Sequence, residues 1–336
     1  MDALDRRIAA ALQLNGRATW REVARVLGTS ESTVARRGRQ LLDSGLVRVT
    51  GQPDAARVGL GNPVLVQLNC APGMIKRVAS ELAERPDVRF LAVVTSTYDV
   101  LVELIVPSKA RLAHVLTDEF ASVEGITGTT TDVVMRTFKT SYDWSRDLLG
   151  EHGVDPSFVS QAPVPVPREQ SETALSESDL RLMQLLSDDG RRTFADLAQD
   201  LDMSESMVRR RVSALVENGY LFFATLVDPQ ALGFEVELFV KLRVTLGELE
   251  RIATALAARR EVRYVSATSG FSDLACEVIL RSADDLYDFT TNVLGGLAGV
   301  QRTVIAHELA TYKRAYMHVG SAAPMVSEKG SVGGHE

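Results

Sequence analysis

The chain of 336 residues repeats itself, because a second copy of one pattern begins 174 residues after the first. The match needs no gap over about 140 residues, which chance does not produce. Matched pairs run through the whole of each copy and include Asp5 and Asp179, Gly16 and Gly190, Ser30 and Ser204, Gly45 and Gly219, Asp99 and Asp273, Glu103 and Glu277, Lys139 and Lys313, and Tyr142 and Tyr316. The fold must therefore be built from two copies of one unit.

Each copy has a helical first part and a second part in which strands and helices alternate. In the first part, apolar residues recur at helical spacing, and Thr19 and Ser30 are placed to cap the second and third of three short helices. The second part predicts the order β-α-β-β-α-β, the ferredoxin-like pattern. The predicted fold class is α+β, with two tandem repeats, each a winged or three-helix helix-turn-helix domain followed by a ferredoxin-like domain.

The repeat also sets the predicted domain boundaries. A Pro-Val-Pro-Val-Pro run between the copies favours extended polyproline structure and indicates a linker. The small, polar C-terminal segment is typical of a disordered tail. The predicted segments are helix-turn-helix domains at 1–48 and 176–222, hinges at 49–62 and 223–236, ferredoxin-like domains at 63–145 and 237–319, a linker at 146–175, and a tail at 320–336.

The third helix of the first repeat has one apolar face and one arginine-rich face. On a helical wheel, Val34, Gly38, Leu41 and Leu42 fall together, as do their partners in the second repeat. The opposite side carries the candidate DNA-binding residues Ser32, Thr33, Arg36, Arg39 and Gln40, with Arg37 beside them. Arginine can bind guanine with two donors, and Ser or Thr can bind base edges or phosphates. The helix is therefore predicted to lie in a major groove of double-stranded DNA.

The second repeat keeps this pattern in weaker form, with Ser206, Arg209 and Arg210 as the candidate DNA-binding residues. Residues 1–50 hold nine arginines and five acidic residues, whereas residues 175–224 hold six arginines and nine acidic residues. The overall formal charge of −7 argues against nucleic acid, but binding depends on the local field, which favours the first repeat. We expect unequal DNA contacts from the two repeats.

A helix-turn-helix of the form Ser-x-Ser-x-Val-x-x-Arg, then a hinge and a β-α-β-β-α-β domain, resembles the Lrp/AsnC family of transcription regulators. The resemblance covers about residues 4–145 and 178–319. It implies that the two ferredoxin-like domains pair within one chain, which then imitates a family dimer. Whole chains are expected to associate further. The preferred DNA site is expected to be asymmetric, or a pseudo-palindrome with one weak half, because operator symmetry mirrors protein symmetry.

The resemblance also implies a site for a small, amino-acid-like effector, at a loop of the form Thr-Gly-x-x-Asp between the second and third strands. The second repeat matches with Ser269, Gly270, Phe271, Ser272 and Asp273, whereas the first matches less well with Thr95, Ser96, Tyr98 and Asp99. Loop N–H groups can hold a carboxylate, and an Asp can accept from an ammonium group. The alternative is that glycine and aspartate only shape a tight turn.

Two other functions stay open at this point. Some decarboxylases of haem precursors resemble this fold, but the five histidines, at positions 114, 152, 307, 318 and 335, are scattered. We therefore predict no catalytic residues, no metal site and no cofactor, and a Soret band would argue otherwise. An architectural protein that compacts DNA without an effector is the second alternative, and it would bind unrelated DNA sequences equally.

Location follows from what the sequence lacks. No apolar run approaches ~18 residues, so no membrane span is expected, and the N-terminal residues have no signal-peptide core behind them. The two cysteines, Cys70 and Cys276, do not match between the repeats, and we expect reduced thiols. The predicted location is the cytoplasm.

Overall fold

The computed structural model describes residues 1–150, 154–159 and 175–319. The proline run of the linker and the tail at 320–336 lie outside the described residues. In the first repeat the elements are α1 (Ala3–Leu14), α2 (Trp20–Leu27), α3 (Glu31–Asp43), β1 (Val47–Pro53), β2 (Asn62–Cys70), α4 (Ile75–Ala83), β3 (Val88–Thr95), β4 (Val100–Val106), α5 (Lys109–His114), α6 (Phe120–Ser122) and β5 (Ile126–Thr140).

The second repeat follows the same order. Its elements are α7 (Glu177–Asp188), α8 (Phe194–Leu201), α9 (Glu205–Glu217), β6 (Leu221–Val227), α10 (Pro229–Leu232), β7 (Val236–Val244), α11 (Leu249–Ala257), β8 (Val262–Ser269), β9 (Leu274–Leu280), α12 (Ala283–Asp288), β10 (Val300–Arg314) and β11 (Met317–His318). A π-helical turn follows both α5 and α12. Among the helices of the described residues, none combines the length and the hydropathy that a membrane span requires.

Each three-helix module is capped as the sequence predicts. Thr19 accepts from the N–H of Glu22 at the start of α2, while Ser30 accepts from the N–H of Thr33 at the start of α3. Gly28 ends α2 in the left-handed conformation, which glycine adopts at little cost. These caps fix the tight turn that sets α3 at an angle to α2.

The segments predicted to be hinges are not open connections. Strands β1 and β6, which follow the two helical modules, pair antiparallel from Val47 with Val227 to Pro53 with Leu221. This ribbon joins the first module directly to the second, and its buried backbone groups are satisfied by the pairing. The hinge prediction was therefore wrong for residues 49–53 and 223–227, because the partner strand of each lies in the other repeat.

The two ferredoxin-like sheets join into one closed ring of strands. Within the repeats the orders are β3-β4-β2-β5 and β8-β9-β7-β10, and all pairings are antiparallel. The long strand β5 pairs with β2 through its first half and with β8 through its second half. Strand β10 does the same with β7 and β3. The intrachain pairing expected from the resemblance is thus present in the described structure.

Helices cover the outside of this ring, and side chains from both repeats fill its inside. The outer cores lie under α4 in the first repeat and α11 in the second. The inner core mixes residues from both repeats, including Phe90, Tyr98, Phe239 and Tyr264. Charged residues are buried there too, among them Glu103, Asp132, Lys241, Arg263, Glu277 and Arg314. The inside of the ring therefore holds buried charged side chains, which the alternating pattern of the strands did not predict.

Part of the predicted linker is structured. Short 3-10 turns at Arg146–Leu149 and Pro156–Phe158 pack Leu149 and Phe158 against the core of the first module. The side chain of Asn15 donates to the carbonyl of Phe158 at 3.1 Å. The prediction of a linker from residue 146 was wrong for these residues, because their apolar side chains find a core in α1.

Candidate DNA-binding surface and effector loops

Helix α3 buries Val34, Gly38 and Leu41 and leaves its opposite face exposed. Four candidate residues lie on that face: Ser32, Arg36, Arg39 and Gln40. Arg36 reaches only Gln40, at 3.4 Å, and Arg39 has no ion pair within the described part of the chain. Two guanidinium groups on one exposed helix face are therefore available to an anionic partner.

Two other candidates on α3 are held by the protein itself. Arg37 forms ion pairs with Asp2 and with Asp5, whose Oδ1 lies 2.9 Å from Nη1, so its guanidinium anchors the start of α1. Bonding to these carboxylates raises the pKa of Arg37. The hydroxyl of Thr33 bonds to the hydroxyl of Ser30 at 2.8 Å. Arg37 thus lies beside the exposed face with a structural contact of its own.

The sequence contained a signal for this contact. Arg211, the counterpart of Arg37, lies 2.7 Å from Asp179, the counterpart of Asp5. A basic and an acidic residue that are both kept at the matched positions of a repeat indicate a pair. The wheel alone could not show this pair, because it places residues on faces without their tertiary partners.

Helix α9 exposes Ser206, Arg209 and Arg210. Arg209 is occupied, since it pairs with Glu205 at 2.9 Å and its guanidinium lies 4.4 Å from the centre of the Phe194 ring. Arg210 has no ion pair within the described residues. The second helix therefore offers one uncommitted arginine where the first offers two.

Gly38 is explained by the residue opposite to it. A Cβ at this position would lie 2.3 Å from the ring of Trp20, so only glycine fits. The second repeat has Val212 here and the smaller Phe194 in place of Trp20. The missing side chain thus leaves no gap, because the larger indole ring occupies its space.

Two arginines tie the helical modules to each other. Arg17 donates from Nη1 to the carbonyl of Gly190 at 2.5 Å, and Arg191 donates in return to the carbonyl of Gly16 at 2.5 Å. Arg17 also stacks on Phe194, while Arg191 stacks on Trp20. Burial lowers the pKa of Arg17 to about 10, and the charge of Arg191 adds to this effect. Together with the β1–β6 ribbon, these contacts fix the orientation of the two helical modules relative to each other.

The effector loop of the second repeat joins β8 to β9. Asp273 accepts from the backbone N–H of Val244 at 2.8 Å and lies 3.5 Å from Arg243. Ser272 is buried, and its carbonyl accepts from the hydroxyl of Thr268 at 2.8 Å. Ser269 faces the backbone of β5 at 3.5 Å, and Phe271 is exposed. Asp273 thus bonds to the end of β7. This contact agrees with the alternative in which glycine and aspartate only shape a tight turn.

The loop of the first repeat is built in the same way. Asp99 accepts from the backbone N–H of Cys70 at 2.7 Å, which ties the loop to the end of β2. The hydroxyl of Thr95 accepts from the backbone N–H of His307 on β10 at 3.3 Å. Tyr98 turns inward and is buried, whereas Ser96 is exposed. Each loop therefore lies against a strand of the other repeat.

A charged network fills one end of the ring. Arg314 lies 3.1 Å from Glu237, 3.0 Å from Glu277 and 3.2 Å from Glu308. Burial raises the pKa of Glu308 to about 8, and the charge of Glu237 adds to the effect. The three carboxylates are close enough to share a cation, and Arg314 already serves as that cation. We assign no metal to them.

A small cavity of about 50 Å³ lies beside this network. It is lined by the buried pairs Arg89–Glu103 and Arg263–Glu277, together with Arg314 and two tyrosines. His114 pairs with Asp118 at the surface, while His318 lies 3.9 Å from Glu84. His152 and His335 lie outside the described residues. His307 is exposed on β10, and no histidine of the described residues lines this cavity.

Comparison with known proteins decides the family. The AsnC-type helix-turn-helix domain matches residues 1–42, a winged helix-turn-helix DNA-binding model matches 175–221, and the Lrp/AsnC ligand binding domain matches 63–144 and 237–317. An uncharacterised HTH-type transcriptional regulator of Pyrococcus furiosus is 32% identical over 143 residues, which is 42% of this chain and 97% of that protein. The chain belongs to the Lrp/AsnC family.

Other relatives agree with this family and with the duplication. The HTH-type transcriptional regulator FL11 of Pyrococcus horikoshii is 31% identical over 140 residues, covering 41% of this chain and 92% of that protein. Both relatives are about as long as one repeat, so this member of the family carries the DNA-binding and ligand-binding domains of a transcription regulator twice.

One solved structure matches nearly the whole chain. The siroheme decarboxylase NirDL superposes with a TM-score of 0.60 at 13% identity, covering 92% of both chains. At this identity the match shows a shared fold. It supports the arrangement of two helical modules on a paired set of ferredoxin-like domains.

Proposed function

We propose that this protein is a cytoplasmic, sequence-specific regulator whose first helical module supplies most of the contacts to DNA. The observation that carries the proposal is the exposed face of α3, where Arg36 and Arg39 have no acidic partner among the described residues. On α9 the matching face has Arg209 paired with Glu205 and offers Arg210 alone. The DNA site that suits this chain is asymmetric, with one strong half and one weak half.

A mobility-shift or fluorescence-anisotropy titration on a genomic site of this protein tests the proposal. Arg36→Ala and Arg39→Ala should each weaken specific binding by roughly 1–3 kcal/mol wherever the side chain contacts a base. Arg209→Ala and Arg210→Ala should weaken it less. Arg77→Ala serves as the control, since Arg77 lies on the ferredoxin-like domain and pairs with Glu124 at the surface.

The four arginine variants separate the possible results. Unchanged affinity in the Arg36→Ala/Arg39→Ala double variant would show that α3 does not recognise DNA. Equal losses from the two helices would remove the asymmetry from the proposal. Equal affinity of the wild-type protein for unrelated sequences would instead support an architectural role without an effector.

The effector side of the proposal rests on the two loops and the strands beneath them. We propose that an amino-acid-like effector contacts these loops, because the ligand-binding domain is present twice and both loops keep their aspartate. Asp99 and Asp273 then act by shaping the loops, since each already accepts a backbone N–H. Titration of amino acids into the protein, with the heat of binding measured by calorimetry, tests for such an effector.

We also propose that whole chains pair further. Met135 and Leu309 occupy matched positions on β5 and β10 and are 56% and 63% exposed, and Phe271 nearby is 51% exposed. Exposed apolar side chains that recur on both repeats favour a contact between chains. Light scattering should give a small even multiple of one chain, and Met135→Lys/Leu309→Lys should reduce the mass to one chain.

Catalysis on a tetrapyrrole is the enzymatic alternative raised by the shared fold. The cavity between the two sheets has a volume of about 50 Å³, whereas pockets for drug-sized ligands measure about 300–1,000 Å³. Buried ion pairs line that cavity, and their charges neutralise one another. We therefore propose a regulator without enzymatic activity, and a Soret band after addition of an iron tetrapyrrole would contradict this.

A further inference from the structure

The effector loop of the second repeat encloses a carboxylate that comes from the first repeat. The backbone N–H of Phe271 donates to Oδ1 of Asp132, on β5, at 3.1 Å. Gly270 has a φ of +141°, and a Cβ there would lie 2.1 Å from the same oxygen. The glycine of this loop therefore lets the backbone close over the Asp132 carboxylate.

The other carboxylate oxygen is bound from inside the ring. Lys241 on β7 donates to Oδ2 of Asp132 at 2.5 Å, and Gln67 on β2 donates to it at 3.1 Å. The side chain of Asp132 is fully buried and that of Lys241 is 3% exposed. An ammonium, a side-chain amide and a loop N–H thus surround one carboxylate, the set of donors that a protein uses to bind a carboxylate ligand.

The matched position in the other half of the ring has no such carboxylate. Ala306 stands where Asp132 stands, and the repeat exchanges Gln67 for Lys241. The loop of the first repeat is filled differently, because Tyr98 is buried there in place of Ser272. The arrangement around Asp132 is therefore present at only one of the two described loops. The ring of strands closes at the other loop without it.

We infer that Phe271 N–H, Lys241 and Gln67 form a binding site for a small carboxylate, and that the side chain of Asp132 occupies this site as a built-in ligand. The second effector loop is then held in its closed form without any external molecule. This inference rests on the ligand-binding part of the proposed function and deepens it, because it names a small carboxylate as the chemical class that the site at the second effector loop binds. Removal of the Asp132 side chain should open the site to free carboxylates.

Chemical rescue of the full-length chain tests the inference. Asp132→Ala should lower the melting temperature by several degrees, and sodium acetate or formate should restore most of the loss in a saturable way. Sodium chloride at equal ionic strength should restore none of it. Calorimetry should show one acetate site per chain in Asp132→Ala and no acetate binding in the wild type.

The chain offers a matched control in its own repeat. Asp132→Ala/Lys241→Gln gives both repeats the same pair of residues, with glutamine on β2 and β7 and alanine on β5 and β10. It also removes both charges of the Asp132–Lys241 pair. This variant should fold without acetate and should not respond to it. An equal response of all three proteins to acetate, or no response of Asp132→Ala beyond that to chloride, would overturn the inference.

A second variant keeps the test decisive if Asp132→Ala does not fold. Asp132→Asn retains the size of the side chain but has a single oxygen, which Lys241 and Gln67 should hold. Its N–H₂ group then faces the N–H of Phe271, a second donor, so the contact to the loop should be lost. Hydrogen exchange of the peptide containing Phe271 should then speed up at least tenfold, with little change in the loop of the first repeat. Unchanged exchange would overturn the inference.

Failure of this site and failure of the proposed function are distinguishable. The stability measurements contain no DNA, and the mobility shifts on Arg36 and Arg39 variants contain no acetate. Loss of DNA recognition would leave the carboxylate site intact as an inference, and the reverse also holds.

Discussion

The two repeats share one backbone plan but differ at several matched positions that carry a charge in only one of them. The first repeat carries its uncommitted arginines outside, on α3, and has Thr140, Val134 and Gln67 at inner positions. The second repeat neutralises the surface around α9 and buries Arg314, Glu308 and Lys241 at the matched positions. Because the two copies lie on one chain, each can specialise without losing its partner. The difference is one of degree inside the ring, where both copies contribute, and it is clearest on the surface, where α3 has two arginines without an acidic partner among the described residues and α9 has one.

The largest effect should come from the buried network of the second repeat. Arg314→Thr gives it the residue of the first repeat and leaves Glu237, Glu277 and Glu308 without their shared cation. Removal of one partner from a buried ion pair costs about 3–5 kcal/mol. Chemical denaturation should show this loss, whereas Arg136→Ala, at the exposed pair with Glu250, should cost less than about 1 kcal/mol. Similar losses would mean that the network does not stabilise the ring.

Where the repeats are equivalent, matched variants should behave alike. Arg17→Ala and Arg191→Ala each remove two hydrogen bonds from a charged donor to carbonyls of the other module. Bonds of this kind contribute about 1.5–3 kcal/mol. Both variants should therefore speed hydrogen exchange in the β1–β6 ribbon to a similar extent. A large effect from only one of them would show that the two modules are not held reciprocally.

An exchange of residues between the repeats should expose the packing difference under α3 and α9. Gly38→Val places a side chain against the Trp20 ring and should destabilise the first module by about 1–3 kcal/mol. The double variant Gly38→Val/Trp20→Phe copies the second repeat and should recover most of that stability. Thermal denaturation of the single and double variants checks this. A double variant as unstable as the single one would contradict the explanation of Gly38.

One more difference between the repeats should appear as a change in pH dependence. Glu308, buried beside Glu237, Arg263 and Arg314, has a pKa of about 8 in the folded chain against an ordinary value of 4.5. The folded state thus binds an extra proton between these values, and its contribution to stability is complete below pH 4.5 and is lost as the pH rises through 8. Glu308→Gln should flatten the fall in melting temperature between pH 5.5 and 8.5. The first repeat has Val134 at the matched position, and because valine does not titrate, this position should add no pH dependence.

The order of elements followed from the sequence because the repeat supplied two independent examples of each pattern. Helix caps at Thr19 and Ser30 and the alternation in the strands depend on neighbours along the chain. The β1–β6 ribbon and the contacts of Arg17 and Arg37 depend on residues brought close only by folding, and spacing alone does not encode them.

Asp132 shows the same limit in the candidate site. In an alternating strand, an aspartate next to threonines indicates an outward-facing polar position. It faces inward because Lys241 of the other repeat neutralises it, and this partner is 109 residues away. The loops themselves could be found from the resemblance, but the residue that fills one of them could not.

The ribbon formed by β1 and β6 has a consequence for DNA geometry. A paired strand and two reciprocal arginines leave the modules little freedom to rotate about one another. One turn of B-DNA takes about 10–10.5 base pairs, so in the proposed DNA complex the rigidly held helices α3 and α9 accept half-sites only at one helical phase. Five base pairs inserted between the half-sites would turn the second half-site to the opposite face of the duplex, out of reach of α9. An insertion of a full turn would return it to the same face, but the two half-sites would then lie too far apart.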